Sequence, residues 1–399
     1  MPRRLPALVF VIALYTAVLA LAPRPLAVAQ DSTGATTRVS VSSDGAQGNE
    51  TSEGPTLSAD GRYVAFDSLA SNLVAGDTNG GFDVFVHDRQ TGTTDRVSVS
   101  SSGAQGNGYS WVPEISADGR YVAFGSLAAN LVAGDTNGAE DIFVYDRQTG
   151  LTSRVSIRSD GVQGNDGSWS PVLSADGRFV VFHSYASNLV AGDTNSVADV
   201  FVHDRQTGLT NRVSVRSDGA QANLGSYHAA VSADGRYVAF DSMASNLLAE
   251  DTNESWSDVF IHDRQTGLTS LVSVRPNGIT GIGSSYAPSL SDDGRYVAFD
   301  SDASDLVAGD TNGRSDAFVH DRQTGLTTLI SVASDGTQGN NNSARPVLSP
   351  DGRYVAFTSE AYNLVAGDTN DHPDIFVRDL QTGATSRVSV SSEGTQTNG

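Results

Sequence analysis

Acidic and amide side chains recur at one fixed spacing along this sequence, and this pattern is the first that could support chemistry. Asp77, Asn79 and Asp83 stand at positions one, three and seven of a loop that begins Asp-Thr-Asn. Oxygen ligands at these positions resemble the start of a calcium-binding loop. The pattern recurs in five further copies, at Asp135, Asn137, Asp141, Asp193, Asn195, Asp199, Asp251, Asn253, Asp258, Asp310, Asn312, Asp316, Asp368, Asn370 and Asp374.

The match to a calcium loop is incomplete, so a second interpretation stays open. Position six lacks glycine in most copies, and Asp88 at position twelve lies about 16 Å along a predicted strand beyond Asp83. Bound Ca²⁺ would therefore need backbone carbonyls or water as further ligands. In the alternative, Asp77 and Asn79 bond to nearby backbone, and Asn79 with Gly80 reverses the chain. Ca²⁺ is the one cofactor that the sequence predicts. The sequence contains no motif for an organic cofactor.

A second pattern follows a serine that recurs once per repeat. The next residue is aromatic in four consecutive copies but not in the first or last: Glu53, Trp111, Trp169, Tyr227, Tyr286 and Ala344. The position after it adds His228 and Arg345. Large aromatic faces stack on sugar rings or on an extended peptide, and Glu53 with Arg345 would orient polar groups of such a ligand. In the alternative, these side chains pack against one another and fill the centre of the fold.

Other kinds of chemistry find little support. One repeat position holds a histidine in four copies but a tyrosine or an arginine in the other two, which indicates packing or a surface role rather than catalysis: His87, Tyr145, His203, His262, His320 and Arg378. The sequence has no nucleophile elbow, phosphate loop or paired-histidine metal spacing. It has no cysteine, which excludes disulfides and thiolate chemistry. The formal net charge of −21 disfavours binding to nucleic acid or anionic lipid.

These residues recur because the chain is built from one repeated unit. The motif Ser-x-Asp-Gly-Arg has its Asp at 60, 118, 176, 234, 293 and 351, at intervals of 58 or 59 residues. In the first copy, residues 55–58, 63–66, 84–86 and 96–99 are predicted strands, and Asp60-Gly61 and residues 88–92 are predicted turns. Helical periodicity is missing over any useful length. The sequence therefore predicts an all-β fold of six four-stranded antiparallel units.

Two architectures accommodate such units, a β-propeller and a long β-solenoid. The middle strands are apolar on both faces, as blades sandwiched between neighbours require, and the unit is long for a solenoid coil. This favours a six-bladed β-propeller. The Arg-Val-Ser-Val segment, with close variants, occurs seven times for six units, first at 38–41 and last at 387–390. One of these two terminal copies is expected to complete the sixth blade and latch the ring, leaving the other as a surplus strand or a loose tail.

Strand direction assigns the loops to two faces. Connections after strands one and three are short, whereas those after strands two and four are long, as in 68–82 and 100–112. The long loops therefore crowd one face, the usual location for recognition on a rigid β scaffold. Because strand one is innermost in a propeller, we expect the aromatic position to surround the mouth of the central channel on this face. The copies without an aromatic residue should then place Glu53 beside Arg345.

The first 29 residues differ from all that follows. Arg3 and Arg4 precede an apolar run over residues 7–22, and Ala27-Val28-Ala29 provides a small-residue cleavage site. This pattern predicts a secretory signal peptide that is cut before Gln30, with an uncleaved anchor as the alternative. Residues 30–399 are then one propeller domain in the periplasm or outside the cell, with no membrane span, and we expect it to be a monomer.

The repeat itself resembles a known family. Leu57-Ser-Ala-Asp-Gly-Arg-Tyr-Val-Ala-Phe66 and Leu348-Ser-Pro-Asp-Gly-Arg-Tyr-Val-Ala-Phe357 are similar to the signature of TolB-type propeller repeats. Asp374-Ile-Phe-Val-Arg-Asp379, with Thr382 and Gly383 after it, also fits that pattern. The resemblance implies a six-bladed propeller. It is less specific for function, because such propellers serve as binding scaffolds, as parts of the Tol-Pal envelope system and as accessory domains of peptidases.

Two functions compete on this scaffold. The first is non-catalytic binding of a polymer, either a saccharide or a protein or peptide, on the long-loop face, with Ca²⁺ stabilising the fold. The second is a hydrolase or lyase that uses the mouth of the channel. An enzyme needs a convergent acid, base or metal set at unique positions, whereas this chain repeats almost every polar group six times. The sequence therefore favours binding.

Overall fold

The structure, a computed structural model, describes residues 36–248 and 256–397. The predicted signal peptide and the loop residues Asp251 and Asn253 lie outside the described residues. In the described part of the chain, six sheets of four consecutive antiparallel strands form a six-bladed β-propeller, which confirms the predicted fold class. A search of the same residues for helices long and apolar enough to cross a membrane finds none.

Each blade runs from an inner strand through two middle strands to an outer strand. Blades 1 to 3 contain β1 (Ser52–Leu57), β2 (Tyr63–Ser68), β3 (Asp83–Asp88), β4 (Thr93–Arg96), β5 (Ser110–Ile115), β6 (Tyr121–Ser126), β7 (Asp141–Asp146), β8 (Leu151–Arg154), β9 (Ser168–Leu173), β10 (Phe179–Ser184), β11 (Asp199–Asp204) and β12 (Leu209–Arg212). Blades 4 to 6 contain β13 (Ser226–Val231), β14 (Tyr237–Ser242), β15 (Asp258–Asp263), β16 (Leu268–Leu271), β17 (Ser285–Leu290), β18 (Tyr296–Ser301), β19 (Asp316–Asp321), β20 (Leu326–Leu329), β21 (Ser343–Leu348), β22 (Tyr354–Ser359), β23 (Asp374–Asp379) and β24 (Thr385–Arg387).

Short turns fix the hairpins of each blade. Asp60 accepts hydrogen bonds from the Ser58 hydroxyl at 2.6 Å and from the backbone N–H of Arg62 at 3.0 Å, which holds the turn between β1 and β2. The Arg62 side chain then reaches Asp88 at the end of β3 with two hydrogen bonds of 2.9 and 2.6 Å. This bidentate pair ties the short-turn face of the blade together.

The fourth strand has the predicted length but begins three residues earlier. It covers Thr93–Arg96, and not the Arg96–Val99 segment that the sequence indicated. The Ser98 hydroxyl accepts a hydrogen bond from the backbone N–H of Val84 at 3.1 Å and donates one to Asp83 at 2.6 Å. The Ser98 side chain thus accepts the hydrogen bond of the Val84 N–H in place of a backbone carbonyl, and the pairing of the third and fourth strands ends there.

Neighbouring blades pack through one interface that recurs along the ring. At the first junction, the N–H of Ala59 donates to the carbonyl of Ala117 at 2.9 Å, and four more junctions repeat this hydrogen bond. The Arg147 guanidinium lies 4.1 Å from the centre of the Tyr63 ring, an arrangement that three further junctions share. Phe124 and Phe143 of blade 2 lie in one buried cluster with residues of blade 1.

The junction between blades 6 and 1 differs from the other five. Ile375 of blade 6 is 40% exposed, whereas Ile142 at the same position of blade 2 is completely buried. Leu57 of blade 1 is 59% exposed, against 6% for Ile115. Among the described strands, no packing between blades 6 and 1 matches that of the other junctions. Pro350 also lacks the N–H that would donate across this junction.

The terminal repeat copies occupy different places. The C-terminal copy begins in β24 and completes blade 6, which is one of the two predicted alternatives. However, the four strands of blade 6, β21 to β24, follow one another in sequence. The C-terminal copy therefore does not join blade 6 to blade 1, and strand exchange does not form the expected latch. The N-terminal copy packs on blade 1, where Ser43 accepts a hydrogen bond from the N–H of Thr94 at 2.9 Å. Its Thr36 also donates to Ser392 at 2.7 Å, which brings the two ends of the described chain together.

Candidate functional site

The aromatic position lies at the long-loop end of each inner strand. Inner strands of successive blades from 1 to 6 pack against one another and therefore line the central channel. Trp111 pairs with Gly125 of β6, Trp169 with His183 of β10, and Tyr227 with Asp241 of β14. The partner residue is aspartate in three blades but glycine in blade 2 and histidine in blade 3, so blades 2 and 3 present different chemistry at the mouth.

A β-bulge follows the aromatic position in every blade. The bulged residue has a positive φ of 41 to 55°, which L side chains rarely adopt. It is glycine once and a larger residue five times: Gly54, Val112, Ser170, His228, Ala287 and Arg345. A carboxylate of the preceding blade holds the bulge at three junctions, as where Asp300 accepts a hydrogen bond from the N–H of Arg345 at 3.0 Å. Such backbone strain is often found at binding sites.

A buried glutamate lies between two tryptophans at this mouth. The indole N–H of Trp111 donates to Glu140 at 2.9 Å, and Glu140 is almost completely buried at the end of the long loop of blade 2. Gly125 provides the space, because a Cβ at that position would collide with the Glu140 carboxyl. Burial raises the pKa of Glu140 to about 8, and hydrogen bonds from Trp111 and Trp169 offset this only in part. The carboxyl is therefore protonated at neutral pH, and it can donate as well as accept a hydrogen bond.

Aromatic rings continue from this glutamate into blades 3 and 4. Trp169 stacks on His183 with ring centres 5.8 Å apart, and its edge contacts Tyr185. His183 contacts Tyr227 edge to face, and the hydroxyls of Tyr185 and Tyr227 lie 3.2 Å apart. Burial lowers the pKa of His183 to about 4, and its Nδ1 has no hydrogen-bond partner. Here "mouth cluster" refers to these six side chains: Trp111, Glu140, Trp169, His183, Tyr185 and Tyr227.

A cavity of about 480 Å³ opens beside Trp111. Its lining includes three carboxyl side chains, those of Glu53, Asp67 and Glu114. Burial raises the pKa of Glu114 to about 7, although a hydrogen bond from the Thr56 hydroxyl at 3.1 Å opposes the shift. The cavity and the mouth cluster share Trp111, so a ligand that covers this indole can reach both.

The structure brings some of the predicted binding residues together but not all. Tyr227 contacts His228, whose Nδ1 lies 2.8 Å from Asp241. This hydrogen bond raises the pKa of His228. Tyr286 is exposed and makes no ring contact with the described aromatic residues. No ion pair joins Glu53 and Arg345 among the described residues, and their expected neighbourhood stays a prediction.

The Asp-Thr-Asn loops are held by side chains of their own repeat. In blade 1, the Gln105 amide donates to Asp77 at 2.9 Å and to Asp83 at 2.8 Å. The Arg96 guanidinium lies 3.5 Å from the first carboxylate and 3.4 Å from the second. Asn79 accepts a hydrogen bond from the N–H two residues later, the turn chemistry that the sequence offered as one alternative. Among the described residues, no group of three or more His, Asp or Glu side chains is arranged to hold a metal ion.

The repeated histidine position is a packing position. His87 is buried in β3, and its Nδ1 lies 2.9 Å from the Thr94 hydroxyl of β4. Burial lowers its pKa, so the ring is neutral near pH 7. The same contact recurs in the other blades that carry a histidine there.

Sequence reasoning missed Glu140, His183 and Tyr185. The signal was present in the repeat alignment. The residue before the last loop carboxylate is Phe82 in blade 1 and Glu140 in blade 2, and Gly125 stands where three blades have aspartate. A unique acid opposite a unique glycine indicates a special contact.

Replacing Glu140 with glutamine should change how stability depends on pH. The folded pKa of about 8 exceeds the ordinary glutamate value of about 4.3, so the wild type loses stability as pH rises between these values. Glutamine still accepts the Trp111 hydrogen bond but never ionises. Thermal melts should therefore show E140Q a few degrees above the wild type at pH 9 and level with it near pH 4.

The matched control is Glu53→Gln, which changes an exposed carboxyl at the same mouth and should leave the profile unaltered. If the melting temperatures of the wild type and E140Q changed with pH in the same way, Glu140 would be ionised in the folded protein, which would contradict this prediction.

Comparisons with known proteins agree on the fold. No protein-family model and no curated protein matches the chain. Similar solved structures include an oligogalacturonate lyase in complex with manganese, at 14% identity and a TM-score of 0.51, covering 84% of this chain and 78% of that one. A prolyl endopeptidase matches at 12% identity and a TM-score of 0.51, covering 85% of this chain and 42% of that one. TolB from Acinetobacter baumannii matches at 15% and 0.43, covering 76% of this chain and 58% of that chain. The chain is a six-bladed propeller, and at these identities its likeness to the lyase and the endopeptidase is one of fold.

Proposed function

We propose that the protein is an exported, non-catalytic binding propeller that holds a neutral saccharide segment at the long-loop mouth of its channel. The observation that carries this proposal is the mouth cluster, in which Trp111 and Trp169 flank the buried carboxyl of Glu140. The predicted signal peptide supports export to the periplasm or the cell exterior.

The chemistry of the cluster suits sugar rings. Indole and phenol faces stack on the apolar faces of pyranose rings, and a few fixed polar groups orient the hydroxyls. The protonated Glu140 carboxyl offers both a donor and an acceptor. The cluster carries no charge at neutral pH, while the chain as a whole carries −21. An acidic polymer such as oligogalacturonate would be repelled, and a neutral saccharide would not.

A binding panel tests this function. Intrinsic tryptophan fluorescence should shift saturably when neutral oligosaccharides are titrated in, because Trp111 and Trp169 would lose water from their faces. Extended peptides of similar length are the matched comparison, since they are the other polymer that an aromatic site accepts. A shift with peptides and none with any saccharide would overturn the proposal.

One observation favours a second function, a hydrolase or lyase at the same mouth. A glutamic acid that stays protonated at neutral pH is suited to act as a general acid, and Glu53 and Asp67 supply carboxyl groups in the adjoining cavity. Under this alternative, polysaccharide substrates would release new chain ends, and Glu140→Gln would stop the release. Under the binding function, neither the wild type nor the Glu140→Gln variant cleaves a polysaccharide.

A further inference from the structure

In two of the six repeats, leucine replaces the arginine that contacts the loop carboxylates. In blades 1, 2, 3 and 6, an arginine Nη1 lies 3.4 to 3.6 Å from the first loop carboxylate and 3.2 to 3.4 Å from the second. These arginines are Arg96, Arg154, Arg212 and Arg387. Blades 4 and 5 have Leu271 and Leu329 at the same repeat position, at the ends of β16 and β20. The first loop carboxylate of blade 4, Asp251, lies outside the described residues, so of these two blades only blade 5 is described in full.

The carboxylates of blade 5 remain buried despite this change. Asp316 is completely buried, and Asp310 is 7% exposed. The Gln338 amide donates to each at 2.9 Å, as the corresponding glutamine does in the four arginine blades. The second oxygen of Asp310, Oδ2, is shielded from water and has no hydrogen-bond partner. Burying two carboxylates without a fixed cation lowers the stability of the fold, so binding of a mobile cation at this place would be favourable.

We propose that blade 5 binds Ca²⁺ between Asp310 and Asp316, where blades 1, 2, 3 and 6 place a guanidinium. Leucine is shorter than arginine, so its side chain ends before the position that the guanidinium reaches. Carboxylate oxygens are the ligands that Ca²⁺ prefers. Two carboxylates are fewer than a dedicated calcium loop supplies, so water completes the shell and the affinity is in the millimolar range. The sequence suggested a calcium site in each of six loops. Four of these loops already contact a cation, the guanidinium of the arginine in their own blade.

The reciprocal exchange of leucine and arginine tests this site. Millimolar Ca²⁺ should raise the melting temperature of the wild type relative to chelator, because the ion binds the folded chain. Leu329→Arg supplies the guanidinium, so this variant should melt higher than the wild type in chelator and bind one Ca²⁺ fewer per chain by calorimetric titration. Arg96→Leu should gain a calcium response in blade 1.

The matched control is Leu326→Arg, which adds the same charge to the same strand at an exposed position. It should keep the calcium response of the wild type. If Leu329→Arg and the wild type bind the same amount of Ca²⁺, or if the wild type binds none at millimolar concentration, the site in blade 5 does not exist. Saccharide titrations are independent of this result, since the mouth cluster lies in blades 2 to 4.

Discussion

Replacing Ile142 with alanine should destabilise the protein strongly, whereas the same replacement at Ile375 should leave its stability almost unchanged. Both residues occupy the second position of a third strand, but Ile142 is enclosed between blades and Ile375 lies on the open face of blade 6. A buried isoleucine truncated to alanine costs about 2 to 5 kcal/mol, and an exposed substitution usually stays within about 0.5 kcal/mol. Urea unfolding midpoints measure the difference.

This pair tests the junction between blades 6 and 1 in solution. The two variants make the same chemical change at the same repeat position, so each is the control of the other. An equally large loss at Ile375 would contradict an open junction, since it would require blade 1 or another apolar surface to cover blade 6. A small loss at Ile142 would contradict the packing of the regular junctions.

The double replacement of Trp111 and Trp169 with alanine should abolish saccharide binding. Central aromatic residues of a binding site often contribute on the order of 2 kcal/mol each when truncated, or about 30-fold in Kd. The two losses together would move a micromolar ligand out of the measurable range. Isothermal titration with the best saccharide from the panel gives the change in Kd.

Trp256 provides the matched control for this experiment. It is the third tryptophan of the chain, partly exposed in the segment before β15, and it makes no ring contact with the described residues of the mouth cluster. Trp256→Ala should bind saccharide as the wild type does. Circular dichroism and melting of the double variant separate lost binding from lost fold. Unchanged binding by a folded double variant would place the recognition site elsewhere.

The repeat made the fold predictable. Hairpin turns at Asp60-Gly61 and the apolar middle strands recur at one spacing, and six such units favour a ring. The end of the fourth strand could not be read in the same way, because Ser98 stops the ladder through a side-chain hydrogen bond. The unlike junction between blades 6 and 1 depends on tertiary packing, although Pro350 gave a local sign of it.

The candidate site was predictable in its position but not in its chemistry. The aromatic residues at one repeat position indicated the mouth, and Trp111, Trp169 and Tyr227 do lie at the end of the channel. Glu140 lies 29 residues after Trp111 in sequence, and only strand pairing and Gly125 bring the two together. The loop carboxylates were read as ligands because their arginine and glutamine partners lie in a later segment of the repeat.

A crystal structure of the protein soaked with a neutral oligosaccharide that shifts its fluorescence tests the account most directly. We expect sugar rings stacked on Trp111 or Trp169, with a hydroxyl within hydrogen-bonding distance of the Glu140 carboxyl. Saccharide bound on the short-turn face or along the outer strands, with the mouth cluster still covered by water, would contradict the proposed function.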